Sequence, residues 1–170
     1  MRAAIAMAKR AYNVLFLCMH NSARSIMAEV IVNYVGKGRF NGFSAGSHPG
    51  TPPNPFAIAT LERQPLPIEG LYSKDWKEFA KPGAPEMDFV FTVCDQAAGE
   101  VCPVWPGRPI TAHWGVEDPS LFTGTDEEKQ REFARVANLL KRRIELFTSL
   151  PLERLDRLKI KKSVEVIGKQ

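Results

Sequence analysis

The chain is poor in the residues that build secreted scaffolds and metal centres. It has three cysteines, Cys18, Cys94 and Cys102, and three histidines in 170 residues. An odd, small set of cysteines argues against a disulfide-stapled scaffold and for a reducing compartment, where cysteines are catalytic or redox-active. No apolar run approaches the roughly 18 residues of a membrane span. The segment Met1–Arg10 is too short in apolar residues to read as a signal peptide. A cytoplasmic protein without a membrane partner is therefore expected. The net charge of +4 is modest, and its densest stretches are Lys141-Arg142-Arg143 and Arg154 to Lys162. Neither is interleaved with aromatics or carries a reading motif, so both are read as solvated faces and no nucleic-acid partner is expected.

What is present suits one globular domain: 44% hydrophobic and 25% charged residues in a chain long enough to bury a core. Tyr12 to Cys18 (YNVLFLC) is a continuous apolar run, as in a buried strand of a parallel sheet. From Ser25, Ile26, Met27, Val30, Ile31 and Tyr34 recur at helical spacing up to a stop at Gly36. Phe40 to Ala45 predicts a second strand, and Phe56 to Arg63 a short helix. A further helix is expected from Lys74 to Phe79 with Ser73 as its cap. Asp88 to Cys94 (DFVFTVC) and Ile110 to Trp114 complete the strands. Thr125 and Glu128 form a capping box before a long amphipathic helix through Phe133, Val136, Leu140, Ile144 and Phe147.

Strands alternating with helices predict an α/β single domain, a mostly parallel central sheet flanked by helices, over residues 12–148. Residues 1–11 form an N-terminal extension. Residues 149–170 form a C-terminal one, expected to be a short helix followed by a charged tail, with Leu150, Leu152, Leu155 and Leu158 spaced to pack on the core. In such folds ligands sit at the carboxyl ends of the strands. Cys18 and Cys94 both end strands, so they should face one rim.

The segment Cys18-Met19-His20-Asn21-Ser22-Ala23-Arg24-Ser25 joins the first strand to the first helix. Five residues between cysteine and arginine can wrap backbone N–H groups around one tetrahedral anion. The helix N-terminus adds partial positive charge and the guanidinium a bidentate clamp. Met19, His20, Asn21, Ser22, Ala23 and Arg24 are thus the candidate oxyanion-binding residues. The same field favours the Cys18 thiolate, moving its pKa from about 8.5 towards the range of roughly 3.5 to 7.5. Ser25 is placed to donate a hydrogen bond to the sulfur.

Taken with Met27-Ala28-Glu29, Phe43-Ser44-Ala45-Gly46 and His113-Trp114-Gly115 before Asp118-Pro119, this loop resembles the low-molecular-weight tyrosine phosphatase fold. That fold serves phosphatases and the arsenate reductases built on it. The resemblance runs from about Tyr12 to Phe147 and keeps the family's order. It implies that Cys18 is the nucleophile, Arg24 the clamp and Asp118 the general acid, a role that suits a carboxyl on a loop beside a departing oxygen. It further implies that Cys94 and Cys102 are the redox pair of the reductase branch. Cys94 would attack the arseno-cysteine, and Cys102 would take over the resulting disulfide.

Two readings stand at this point. The favoured one is reduction of arsenate to arsenite, with phosphate or sulfate as mimics of the oxyanion and a thioredoxin-type protein resetting the relay. Glutathione with glutaredoxin is the other possible reductant, and no bound cofactor or metal is expected. The alternative is a phosphatase that uses Cys18, Arg24 and Asp118 alone. Ser120-Leu121-Phe122 after Asp118-Pro119 offers no obvious aromatic wall for a phosphotyrosine ring, which weighs against it.

Overall fold

A computed structural model describes residues 10–66, 68–95 and 105–170. Four parallel strands, β1 (Tyr12–Cys18), β2 (Phe40–Gly46), β3 (Phe89–Thr92) and β4 (Ile110–His113), form one sheet in the order β2-β1-β3-β4. β1 therefore lies inside the sheet, with β2 on one side and β3 on the other. That position requires burial on both faces, and the uninterrupted apolar sequence of β1 supplies it.

The period-two alternation of β1 divides the core. Val14, Phe16 and Cys18 belong to the larger cluster, with α1 (Arg24–Val35) and α3 (Asp126–Thr148). Leu15 and Leu17 face a smaller cluster that includes Trp76, Phe79, Met87, Val90 and Trp105. At the centre of the larger cluster the rings of Phe91 and Trp114 stack 4.2 Å apart, with Phe147 edge-on to both. α2 (Pro55–Glu62) packs beside α3. Thr125 and Glu128 make the capping box that starts α3, and its apolar stripe Phe133, Val136, Leu140, Ile144 and Phe147 is buried.

Three expectations are corrected. The helix over Lys74–Phe79 is a 3-10 turn over Trp76–Phe79 capped by Asp75, not by Ser73. The Ser73 hydroxyl donates instead to the Asn21 carbonyl, and the Lys74 carbonyl accepts from Gly46 N–H, so this stretch braces the Cys18 loop. Two strands end early, β3 at Thr92 and β4 at His113, although Val93 still donates to the Leu17 carbonyl. Residues 149–170 hold a 3-10 turn at Leu152–Arg154 and then a regular helix, α4 (Arg157–Ile167), where a charged tail was expected. Leu152 is buried but Leu158 is exposed, and Ile160, Val164 and Ile167 form the packed face of α4. Asp156 caps α4, a signal that the dense positive charge around it obscured. Among the described residues no helix is long and apolar enough to cross a membrane.

Candidate active site

The carboxyl ends of β1 and β3 meet beneath the N-terminus of α1. Cys18 closes β1 and is 3% exposed. The loop after it is held from outside through its carbonyls. Cys18 O accepts from Ser47 N–H, Met19 O from His48 N–H, Asn21 O from the Ser73 hydroxyl and Ser22 O from Asn54 N–H. In a trans peptide the next N–H points opposite to the carbonyl. The amides of Met19, His20, Ser22 and Ala23 are thereby turned to the inner side of the loop. Asn21 takes a left-handed backbone (φ 53°), which asparagine tolerates better than most residues, and its own N–H bonds the Cys18 sulfur.

α1 starts without a side-chain cap and without an acidic residue in its first turn, so its N-terminal field stays available to an anion. Gly46 explains its place among the motifs. A side chain there would come within 2.6 Å of the Met19 carbonyl, so only glycine lets β2 pass the loop this closely.

Ser25 Oγ donates to Cys18 Sγ at 3.3 Å and accepts from Asn21 Nδ2 at 2.8 Å. Cys94, fully buried, adds a side-chain hydrogen bond to the same sulfur. Pairing of Leu17 with Thr92 sets Cys94 one step beyond the position opposite Cys18. The Cys94 hydrogen bond is the largest influence on the Cys18 thiol, and Ser25, the Arg24 charge and the Asn21 N–H assist it. Together they outweigh burial and lower the thiol to about 5. Cys18 is accordingly a thiolate at neutral pH.

Arg24, at the first position of α1, points across the rim. Its Nη1 donates to the Val116 carbonyl at 3.1 Å, and its Nη2 lies 3.3 Å from Asp118 Oδ2. Asp118 also caps the 3-10 turn at Pro119–Leu121, accepting from Ser120 N and Ser120 Oγ. The sequence-predicted clamp and acid are therefore in contact. His20 is exposed, its Nδ1 at 3.0 Å from the His48 carbonyl. Cys102 lies outside the described residues.

In two groups the sequence reading marked the residues but not the contacts they make. Lys74 is 9% exposed. Its Nζ donates to the Ser44 carbonyl and lies 3.8 Å from Glu29 Oε1, while its backbone N–H holds Asn21 Oδ1. Glu29 also accepts from the Ser44 hydroxyl. Burial raises the Glu29 pKa and lowers that of Lys74, so desolvation exceeds their mutual attraction. The pair braces Asn21 from below, and nothing local in the sequence joins positions 29, 44 and 74. The second group is His113, whose Nδ1 meets Thr92 Oγ1 at 2.7 Å and whose Nε2 meets Asp95 Oδ1 at 2.8 Å. It grips the residue after Cys94.

The family model for low molecular weight phosphotyrosine protein phosphatases matches residues 13–162. An arsenate reductase of Halalkalibacterium halodurans is 36% identical over 79% of this chain and 93% of that relative. A glutaredoxin arsenate reductase of Synechocystis is 30% identical over 78% of this chain and 92% of that relative. A solved arsenate reductase in its phosphate-binding state superposes with a TM-score of 0.62 at 28% identity, covering 81% of this chain and 97% of that one.

Proposed function

Since the chain belongs to the low molecular weight phosphotyrosine protein phosphatase family, we propose that its reaction is the reduction of arsenate to arsenite by Cys18. The observation that carries this reading is the second thiol. Cys94 sits buried against the Cys18 sulfur, where a hydrolase would need only a path for water.

The chemistry follows from the positions. Arsenate enters the ring of loop amides, its charge met by Arg24 and the α1 N-terminus. The Cys18 thiolate attacks arsenic, and a hydroxyl leaves as water with the proton of Asp118. Asp118 is ion-paired with Arg24 before substrate arrives, so an oxyanion that engages Arg24 displaces the carboxylate towards the departing oxygen. Cys94 then attacks the Cys18 sulfur. The arsenic–sulfur bond breaks with its electron pair on arsenic, which leaves as arsenite, and a Cys18–Cys94 disulfide forms. Cys102 attacks Cys94, frees Cys18 and leaves a 94–102 disulfide. An external dithiol then reduces that disulfide by exchange. A thioredoxin-type reductant is proposed because the third cysteine moves the disulfide away from the anion loop. The glutaredoxin arsenate reductase among the relatives makes glutathione with glutaredoxin the rival.

The test is arsenate-dependent NADPH oxidation with thioredoxin and thioredoxin reductase, run beside glutathione with glutaredoxin and beside hydrolysis of p-nitrophenyl phosphate. Turnover with arsenate that disappears in Cys94→Ser and Cys102→Ser is expected. Efficient ester hydrolysis untouched by either change, with no arsenate turnover, would make the chain a phosphatase.

A further inference from the structure

The loop from Trp114 to Asp118 is held from two sides by two arginines. Arg24 takes its front, through the Val116 carbonyl and the Asp118 carboxylate. Arg143, in the middle of α3, takes its back. Arg143 Nη1 donates to the Trp114 carbonyl at 3.0 Å and to the Gly115 carbonyl at 3.1 Å, and its Nη2 donates to a main-chain oxygen of Gln170 at 3.1 Å.

Arg143 is 5% exposed, and its partners on the loop are the neutral peptide carbonyls of Trp114 and Gly115. Its Nε has no partner among the described residues. Burial pulls its ionisation below the ordinary arginine range. A guanidinium taken out of water costs stability, and the neighbours Leu140, Ile144 and Phe147 show that this face of α3 can be filled by apolar side chains. What the arginine provides is a fork whose geometry fixes two successive carbonyls at once.

α4 reinforces the same spot. Trp114 Nε1 donates to the Val164 carbonyl at 2.9 Å. Gly168 lies so close that an added Cβ would stand 2.3 Å from the His113 carbonyl. Three contacts from the C-terminal helix and its end thus converge on His113, Trp114 and Arg143, directly upstream of Val116 and Asp118.

We propose that Arg143, backed by α4, is a positioning residue for the reaction at Cys18, setting the 114–118 loop so that Asp118 stands in register with Arg24. This rests on Asp118 acting as the general acid. Arg143 touches neither the sulfur nor the anion loop, and it acts through the two carbonyls it holds. The C-terminal extension then has a catalytic consequence as well as a packing one.

A double-mutant cycle separates this role from a merely structural one. The readout is the single-turnover rate of arsenite release at saturating arsenate, without external reductant, in Arg143→Met, Asp118→Asn and the double variant. Arg143→Met should slow release about 10- to 100-fold and Asp118→Asn about 100-fold. The double variant should be no slower than Asp118→Asn within about 3-fold, because the acid that Arg143 positions is already gone. Arg143→Lys should recover part of the rate, and the pH at which Cys18 alkylates should not move. Should Arg143→Met fail to fold, Gly168→Val, which pushes α4 off the His113 carbonyl, enters the same cycle and should show the same dependence on Asp118. Losses that multiply in the double variant, or a normal rate in folded Arg143→Met, overturn the positioning role while leaving Asp118 as the acid. A normal rate in Asp118→Asn alone removes the acid and the proposal with it.

Discussion

β1 and β3 run side by side and each leads into a buried cysteine, the Cys94 thiol hydrogen-bonded to the Cys18 sulfur, yet the surroundings of the two differ. Beyond Cys18 the chain turns at once into α1, which supplies an uncapped helix N-terminus, Arg24, Ser25 and a ring of inward amides. Beyond Cys94 it meets Asp95, held at the surface by His113, which Thr92 meets in turn. The first environment favours a negative sulfur, which suits the proposed nucleophile. The second suits the thiol proposed to follow it. A strand end delivers a cysteine to the rim, and under the proposed mechanism the donors that come after it set whether the sulfur attacks first or second.

The contrast breaks most completely at the two sulfurs. Cys18→Ser should reduce arsenate turnover by at least about 10⁴-fold. Cys94→Ala should also abolish arsenite release, but it should still alkylate at Cys18, and mass spectrometry after one exposure to iodoacetamide distinguishes the two. Loss of the Cys94 hydrogen bond should raise the Cys18 pKa in that variant. Next in size is Arg24→Lys, expected to lower turnover about 100- to 1,000-fold, since an ammonium cannot clamp an oxyanion bidentately while reaching the Val116 carbonyl. Ser25→Ala should cost about 10-fold and raise the Cys18 pKa by about one unit, read from the pH dependence of alkylation.

A further effect is on stability. Cys18 in the folded chain titrates near 5, below its ordinary value of 9.0. The native state therefore binds the proton less tightly than the unfolded chain. Stability relative to Cys18→Ser should grow as pH rises from 5 towards 9 and vanish as pH falls through 5. Urea unfolding of both proteins at pH 4.5 and pH 8 measures it.

Much of this was legible in the sequence because it was local. The apolar run of β1, the Thr125–Glu128 capping box and the Cys18–Arg24 spacing each sit within a few residues, so periodicity and chemistry could be read directly. The contact between Cys18 and Cys94 followed from topology, two strand ends in one parallel sheet. What escaped was carried by long separations. Lys74 joins Glu29 and Ser44 beneath Asn21 only after β2 has crossed beside β1. Arg143 read as part of a charged cluster because helix spacing alone does not say that one of three adjacent basic residues turns inward. The place and extent of the helix in residues 149–170 were hidden by composition, since its buried positions Ile160, Val164 and Ile167 are separated by charged residues. The missing turn of helix at Lys74 was lost to tertiary contacts that recruit Ser73 and Lys74 for the loop.

The most direct test of the account is the ionisation of Cys18 itself, followed as the rate of iodoacetamide alkylation at that residue from pH 4 to pH 10. A midpoint near 5, moved upward in Cys94→Ala and in Ser25→Ala, is the predicted result. A midpoint at or above about 8, as for an ordinary thiol, would contradict it.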